Sequence, residues 1–546
     1  MPSRSNPARA PSPWLPIVSA IVFSLAASPA LAAPRPKLVV VLVVDQMRAD
    51  YVERFGSAWR GGLHRLFTEG AYFRNAAFPY LQTITCAGHA TISTGAYPYR
   101  HGMVQNAWYD RSAGKLISCT NDPTQPLLSY GSPVSGGDSP AFLQVPTLAD
   151  EMRAQLSPAA KVVTTSLKAR SAIMLAGHAA VATTWADAGV FVTSRSYTDA
   201  PVPAVANFLG KNPIAWDRLP VWNLLLPPRR YWFADDAPGE AAPHGWTRGF
   251  PHALVGANAL DSLTNWVRSP FADAYLADLA LALVKDLQLG RGPAADYLGI
   301  SFSVLDLVGH AYGPRSFEVQ DVLLRLDQTL GTFLTGLDRL VGKNEYVVAL
   351  TSDHGVAAIP EQLEALGVPA GRIPVDRLKA GLEAALDREL GAGSHLAAVV
   401  YTDIYFAAGV YEKLLATPGA LARVRAAVLG VPGVSEAFFG AELADVAPYE
   451  PAARRAAALS YFPGRSGDMV LVPAPNHITV AHGTTHGSHN DYDQRVPLVF
   501  AGAGVARGQF SRRVSPADLA PTLGQMVGVT LPRPDGAVLP EVVPAR

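Results

Sequence analysis

Short, mostly apolar runs that stop at or near a carboxylate or an imidazole recur along this chain. Leu38–Val44 ends at Asp45, residues 297–305 end at Asp306, and residues 346–350 end just before Asp353 and His354. Runs of this length without polar alternation fit strands buried on both faces, the pattern of a parallel sheet covered by helices. Residues 161–166 read as another such strand, leading into Leu167-Lys168-Ala169-Arg170, and residues 496–500 as the last one. Elsewhere the spacing shifts to the helical period, over residues 57–69, 272–290, 318–341 and 516–526, with Ser515 as N-cap of the last. Strand, helix and strand from 297 to 350 form a parallel pair with a right-handed crossover. The pattern predicts an α/β fold, a mostly parallel central sheet flanked by helices, with inserted cap subdomains.

Two stretches break the pattern. Residues 197–271 are rich in Pro and Trp, punctuated by Pro227-Pro228, Pro238 and Pro243, and read as a cap. From 359 to 462, Ala-rich amphipathic helices (375–391 and 412–429) alternate with short strands such as 396–401, which suggests an inserted α+β subdomain. The expected core therefore covers residues 36–195, 286–357 and 466–546, with insertions at 196–285 and 358–465.

Composition narrows the class. Of 546 residues, 49% are hydrophobic and 16% charged, which is globular rather than disordered. Forty-five basic residues balance forty-five acidic ones, so no bulk electrostatic role on nucleic acid or membrane is expected. The amino terminus reads as a signal peptide, 1–32: Arg4 and Arg9, an apolar segment 14–27, and Ala30-Leu31-Ala32 as a cleavage site. An uncleaved anchor is the alternative, although the apolar segment is shorter than the roughly 20 residues a span needs. Cleavage after Ala32 predicts a periplasmic or secreted monomer with no membrane partner. Export to an oxidising compartment makes the pair Cys86 and Cys119 a candidate disulfide, with two buried free thiols as the alternative.

Chemistry-bearing residues cluster at the strand ends. Asp45, Asp306, His310, Asp353, His354 and a His in the loop around His486 supply six imidazole and carboxylate donors, suited to two zinc ions. His477, His482 and His489 crowd His486, so spacing alone does not choose among them. Asp306 and His310, four apart, also fit a simple pair on one helical turn. Thr83-Ile84-Thr85-Cys86-Ala87-Gly88-His89 is a hydroxyl-rich turn into a helix, where Thr85 could be a nucleophile or either Thr a mere cap. Asn106, Lys168 and Arg170 are candidate anion donors; on an extended segment Lys168 and Arg170 would face the same side.

In order, these motifs resemble the alkaline phosphatase superfamily, specifically its PafA-type, phosphate-irrepressible periplasmic alkaline phosphatases. The resemblance rests on Val43-Val44-Asp45-Gln46-Met47-Arg48, the Thr85 turn, His101-Gly102 with Asn106 and Trp108-Tyr109-Asp110, and Ser166-Leu167-Lys168 with Arg170. Asp306 with Gly309-His310 and Gly313-Pro314, Thr351-Ser352-Asp353-His354-Gly355, and Gly483-Thr484-Thr485-His486-Gly487 complete it. It implies an alkaline-phosphatase-like core and two Zn2+ per chain, one held by Asp306, His310 and His486, the other by Asp45, Asp353 and His354 with Thr85. It implies Thr85 as the nucleophile, a phosphothreonine intermediate, and phosphate monoester substrates bound by Asn106, Lys168 and Arg170. Phosphodiesterases and nucleotide pyrophosphatases share the superfamily, and the second charge of the Lys168 and Arg170 pair favours monoesters over diesters. Sulfatases of similar fold resemble one another through Cys-x-Pro-x-Arg, and Ala87-Gly88-His89 after Cys86 lacks that signal. A secreted metal-binding protein with a dead site is the non-enzymatic alternative.

Overall fold

The computed structural model describes residues 1–3, 8, 10, 35–187, 189–243, 245–444 and 452–543. The apolar segment and cleavage site expected for a signal peptide lie outside the described residues.

The mostly apolar runs become the middle of an eleven-stranded sheet. Seven of its strands matter here: β1 (Leu38–Val44), β2 (Ala71–Ala77), β3 (Val162–Ser166), β4 (Ala182–Asp187), β5 (Asp296–Phe302), β6 (Tyr346–Thr351) and β7 (Arg495–Gly502). In space they run β2-β7-β6-β1-β5-β3-β4. The five from β6 to β4 are parallel, as expected from their burial on both faces. Beyond them the sheet turns antiparallel, at β7 on one side and at the strand Val190–Ser194 on the other, so the whole sheet is mixed. Alternate residues of β1 enter different cores: Leu38, Val40, Leu42 and Val44 pack on one face, Val39, Val41 and Val43 on the other. This two-sided burial is what forces an unbroken apolar run.

Helices follow the strands. Four of them bear on the site: α1 (Thr85–Thr94), α2 (Ala169–Ala176), α3 (Val304–Tyr312) and α4 (Phe317–Leu337). The run expected to continue as strand through Leu305 stops at Phe302, because Val304 already opens α3. Asp306 and His310 therefore share one helical turn.

The cap carries more regular structure than its composition suggested, with helices Pro203–Lys211 and Ala259–Trp266 and a two-stranded pairing of Val221–Trp222 with His252–Ala253. It is anchored to α4 by buried polar bonds: Trp222 Nε1 donates to Asp321 at 2.7 Å, and His252 Nε2 lies 3.0 Å from Glu318 Oε1. The second insertion has its own apolar core and a four-stranded antiparallel sheet, ordered Leu396–Val400, Asp403–Phe406, Met469–Pro473, Val434–Phe439. Met469–Pro473, read from sequence as the return of the core, instead belongs to this small sheet. The helix expected over 412–429 is two, Val410–Ala416 and Ala420–Leu429, broken where Pro418 is followed by Gly419 at φ 75°. No helix among the described residues is long and apolar enough to cross a membrane.

Candidate metal centre

Parallel strands end on the same edge of a sheet, and the polar residues that follow β6, β1, β5 and β3 are therefore neighbours. β1 delivers Asp45, β6 delivers Asp353 and His354, β5 leads through Ser303 into α3 with Asp306 and His310, and β3 leads to Lys168. The antiparallel β7 has its start at this edge, so the loop before it brings His486, and β2 exits there toward Thr85.

The six donors divide into two groups, Asp306-His310-His486 and Asp45-Asp353-His354, each with one donor atom per residue lying within 4.8 Å of the others. Nε2 of His310 and of His486 lie 3.2 and 3.7 Å from Asp306 Oδ1. Nε2 of His354 lies 3.4 Å from Asp45 Oδ1 and 3.3 Å from Asp353 Oδ2. The two groups adjoin, since the rings of His354 and His486 stack with centroids 3.5 Å apart.

The far nitrogens explain why these imidazoles suit a metal. Nδ1–H of His354 donates to the carbonyl of Gly355 at 2.9 Å, that of His310 to Thr484 at 2.8 Å, and that of His486 to Thr83 at 2.8 Å. A carbonyl only accepts, so each bond fixes the proton on Nδ1 and leaves the Nε2 lone pair facing the group. Burial holds His354 and His486 below the usual imidazole range, which favours their neutral form, whereas the Asp306 carboxylate beside His310 outweighs burial and raises that imidazole.

The carboxylates point the same way. Asp45 Oδ1 and Asp353 Oδ2 are buried without a hydrogen-bond partner, and both face His354 Nε2. Burial, with Asp306 and Asp353 close by, pushes Asp45 well above the ordinary carboxyl range. Burial would raise Asp306 as well, but Lys168 and His310 hold it well below. Orphaned buried oxygens beside neutral imidazoles are a donor set that fits divalent cations.

Thr85 is 1% exposed and is the first residue of α1, with Oγ1 3.3 Å from His354 Nε2. Neither threonine caps the helix: the N-cap is Ile84, and Thr83 Oγ1 donates to the carbonyl of Ser488. Asn106 Oδ1 accepts the N–H of Cys86 at 2.9 Å, which leaves its amide nitrogen for another acceptor. Lys168 Nζ bridges the groups, 2.6 Å from Asp45 Oδ2 and 2.5 Å from Asp306 Oδ2. Lys168 and Arg170 are not on one extended segment as their spacing suggested. Lys168 is the N-cap of α2 and Arg170 lies in its first turn, with its Nε buried and unpartnered.

Sequence reasoning overlooked two supports. Gln46 adopts φ 70°, and its N–H donates to Asp353 Oδ1 at 3.2 Å while its Nε2 donates to Asp306 Oδ1 at 2.7 Å. A strained residue that braces both groups is typical of a functional site, and only its place after Asp45 hinted at it. His89, fully buried, donates Nδ1–H to the carbonyl of Thr85 at 2.9 Å, which leaves Asp353 Oδ2 3.2 Å away without that proton, and its Nε2 lies 2.8 Å from Ser301 Oγ. Gly88 on the same helix passes so close to Asp353 that any Cβ there would collide with the Asp353 backbone.

Cys86 and Cys119 are disulfide-bonded. The bond staples the start of α1 to the hairpin behind Asn106, whose carbonyl also accepts the N–H of Cys119 at 2.9 Å. Closing a loop whose ends are 33 positions apart is worth about 3–4 kcal/mol in the chain-entropy treatment. Replacing both cysteines by alanine is expected to lower stability by that order, read by thermal melts. Unchanged melts would remove the bond from the stability account.

A family model described as type I phosphodiesterase / nucleotide pyrophosphatase matches residues 39–490, from β1 through the His486 loop. Alkaline phosphatase PafA of Elizabethkingia meningoseptica is 33% identical over 540 residues, covering 97% of this chain and 98% of its own. Alkaline phosphatase PhoV of Synechococcus elongatus is 31% identical over 91% of each chain. The crystal structure of wild-type PafA matches with a TM-score of 0.87 at 32% identity, covering 94% of this chain and 100% of that one. A PafA mutant, TM-score 0.86, is substituted at a Thr, an Asn, a Lys and an Arg that follow one another at the same intervals as Thr85, Asn106, Lys168 and Arg170 here. On these grounds the chain belongs to the type I phosphodiesterase / nucleotide pyrophosphatase family, within the alkaline phosphatase superfamily.

Proposed function

We propose that the chain is an exported alkaline phosphatase that hydrolyses phosphate monoesters through a phosphothreonine at Thr85, with two zinc ions as cofactors. One observation carries this reading: a buried Thr85 hydroxyl at a helix start lies beside His354 Nε2 of one donor group, while Asn106 holds the N–H of the next residue, Cys86, and Lys168 bonds Asp45 of that same group. The near-full-length relatives named as alkaline phosphatases support it, and the disulfide supports export to an oxidising compartment.

Asp306, His310 and His486 would hold one ion, and Asp45, Asp353 and His354, with Thr85, the other. Bound there, the ions would supply Lewis-acid stabilisation of the Thr85 alkoxide and of the leaving oxygen. Thr85 Oγ gives up its proton to solvent and bonds to phosphorus as the bond from phosphorus to the ester oxygen breaks, and the alcohol leaves with a proton taken from solvent. A water oxygen then bonds to the same phosphorus as the bond to Thr85 Oγ breaks, one water proton returns through solvent to Thr85 Oγ, and inorganic phosphate departs with the other. Asn106, Lys168 and Arg170 meet the charge spread over the equatorial oxygens.

A diesterase is the closest rival, given the family's range. A diester presents one fewer charge to Arg170, so Arg170→Ala is expected to lower kcat/KM on an aryl monoester by about 100-fold and on the matching diester by far less. A larger loss on the diester would reverse the assignment. The sulfatase reading is disfavoured further, because Cys86 is engaged with Cys119 and is not available for conversion to an aldehyde.

A further inference from the structure

The loops that carry Thr85 and Asn106 both converge on one carboxylate from the second insertion. Asp403 opens the strand Asp403–Phe406 and is 1% exposed. Its Oδ2 accepts Nε2 of Gln82 at 2.7 Å and Nε2 of Gln105, and its Oδ1 accepts the N–H of Gly467 at 2.6 Å. Gln82 donates as well to Thr402 Oγ1 at 2.6 Å, and its own N–H is held by Ser460 Oγ at 2.9 Å.

Each glutamine is next to a residue of the site. Gln82 precedes Thr83, whose carbonyl orients His486, and lies on the short approach to Thr85. Gln105 precedes Asn106, whose Oδ1 holds the N–H of Cys86. A carboxylate is the side chain that accepts from three donors without presenting a donor of its own. Removing it strands three buried N–H groups at once, while the loops lose their shared anchor.

We propose that Asp403 is a positioning residue, through which the inserted subdomain sets the spacing between the nucleophile loop and the Asn106 loop. The proposal rests on the roles assigned above to Thr85 and Asn106. It gives the second insertion an indirect part in phosphate binding, exerted through the two loops that Asp403 anchors.

The test combines exchange and kinetics in the full-length, metal-loaded protein. Asp403→Ala is expected to speed amide exchange over residues 81–87 and 103–107, and not over the central strand β6. It is expected to lower kcat/KM on an aryl monoester by about 10- to 100-fold, the order that follows a displacement near 1 Å. Asn106→Ala should cost several-fold less in the Asp403→Ala background than alone, because the two changes act on one interaction. Unchanged exchange in the two loops would overturn the proposal, and so would an equal cost of Asn106→Ala in both backgrounds. If Asp403→Ala does not fold, Asp403→Asn, which keeps the volume and one acceptor, is put through the same cycle under the same criteria. If Asn106→Ala is silent in the unaltered chain, the active-site reading falls, and the exchange result alone decides the anchor.

Discussion

Thr85→Ala is expected to lower monoester turnover by at least about 1,000-fold while leaving the fold and most of the bound metal in place. Loss of a nucleophile removes a covalent path rather than weakening one contact, which is why such losses exceed those of single hydrogen bonds. The side chain is 1% exposed and its hydroxyl has His354 Nε2 as its polar neighbour, so truncation deletes a methyl and a hydroxyl without exposing a core. Thr85→Ser should restore a large part of the rate, because the oxygen returns. Trapping with a labelled monoester and acid quench should give a phosphorylated peptide containing Thr85 in the unaltered chain and none in Thr85→Ala. Wild-type turnover by Thr85→Ala would end the covalent scheme. Bound metal without turnover in the unaltered chain would instead favour a metal-binding protein with no catalysis.

Removing metal is expected to have an effect of similar size. A chelator should reduce turnover to a small fraction, and zinc should restore it, with about two ions per chain by mass spectrometry. Asp353→Asn gives the residue-level version. Asp353 Oδ2 is one of the orphaned oxygens facing His354, and an amide nitrogen placed there would present hydrogens where a cation is expected. Loss of one of the two ions, with turnover reduced by about 100-fold or more, is the expected outcome. Full metal content in Asp353→Asn would mean that the assignment of Asp353 as a ligand is wrong.

Much of this arrangement was legible along the chain, for a physical reason. Strands buried on both faces cannot alternate, so their ends were visible as the points where apolar runs meet Asp45 and Asp353. Pairing was less legible. Met469–Pro473 has the same unbroken apolar character as β1, yet it pairs with Val434–Phe439 in the small sheet, and nothing in its composition names its partner. Lys168 and Arg170 were matched by residue type while their backbone was misjudged, because the strand ends at Ser166 and α2 starts within three residues. Helices at Pro203–Lys211 and Ala259–Trp266 were hidden by the Pro and Trp around them. Gln46 and His89 stood inside recognised motifs but with no role assigned to them, and Asp403 had no local signal. Each acts through a residue distant in sequence, and only the folded chain brings them together.

The three imidazoles are oriented by the main-chain oxygens of Thr83, Gly355 and Thr484 rather than by acidic side chains. An orienting carboxylate is lost through one base change, whereas a peptide oxygen survives any substitution at its own position that keeps the backbone path. The orientation of these ligands is thereby insulated from ordinary sequence drift. Mutational tolerance at residues 83 and 484 should exceed that at the six proposed ligands, and what those positions cannot absorb is an insertion or deletion that shifts the loop.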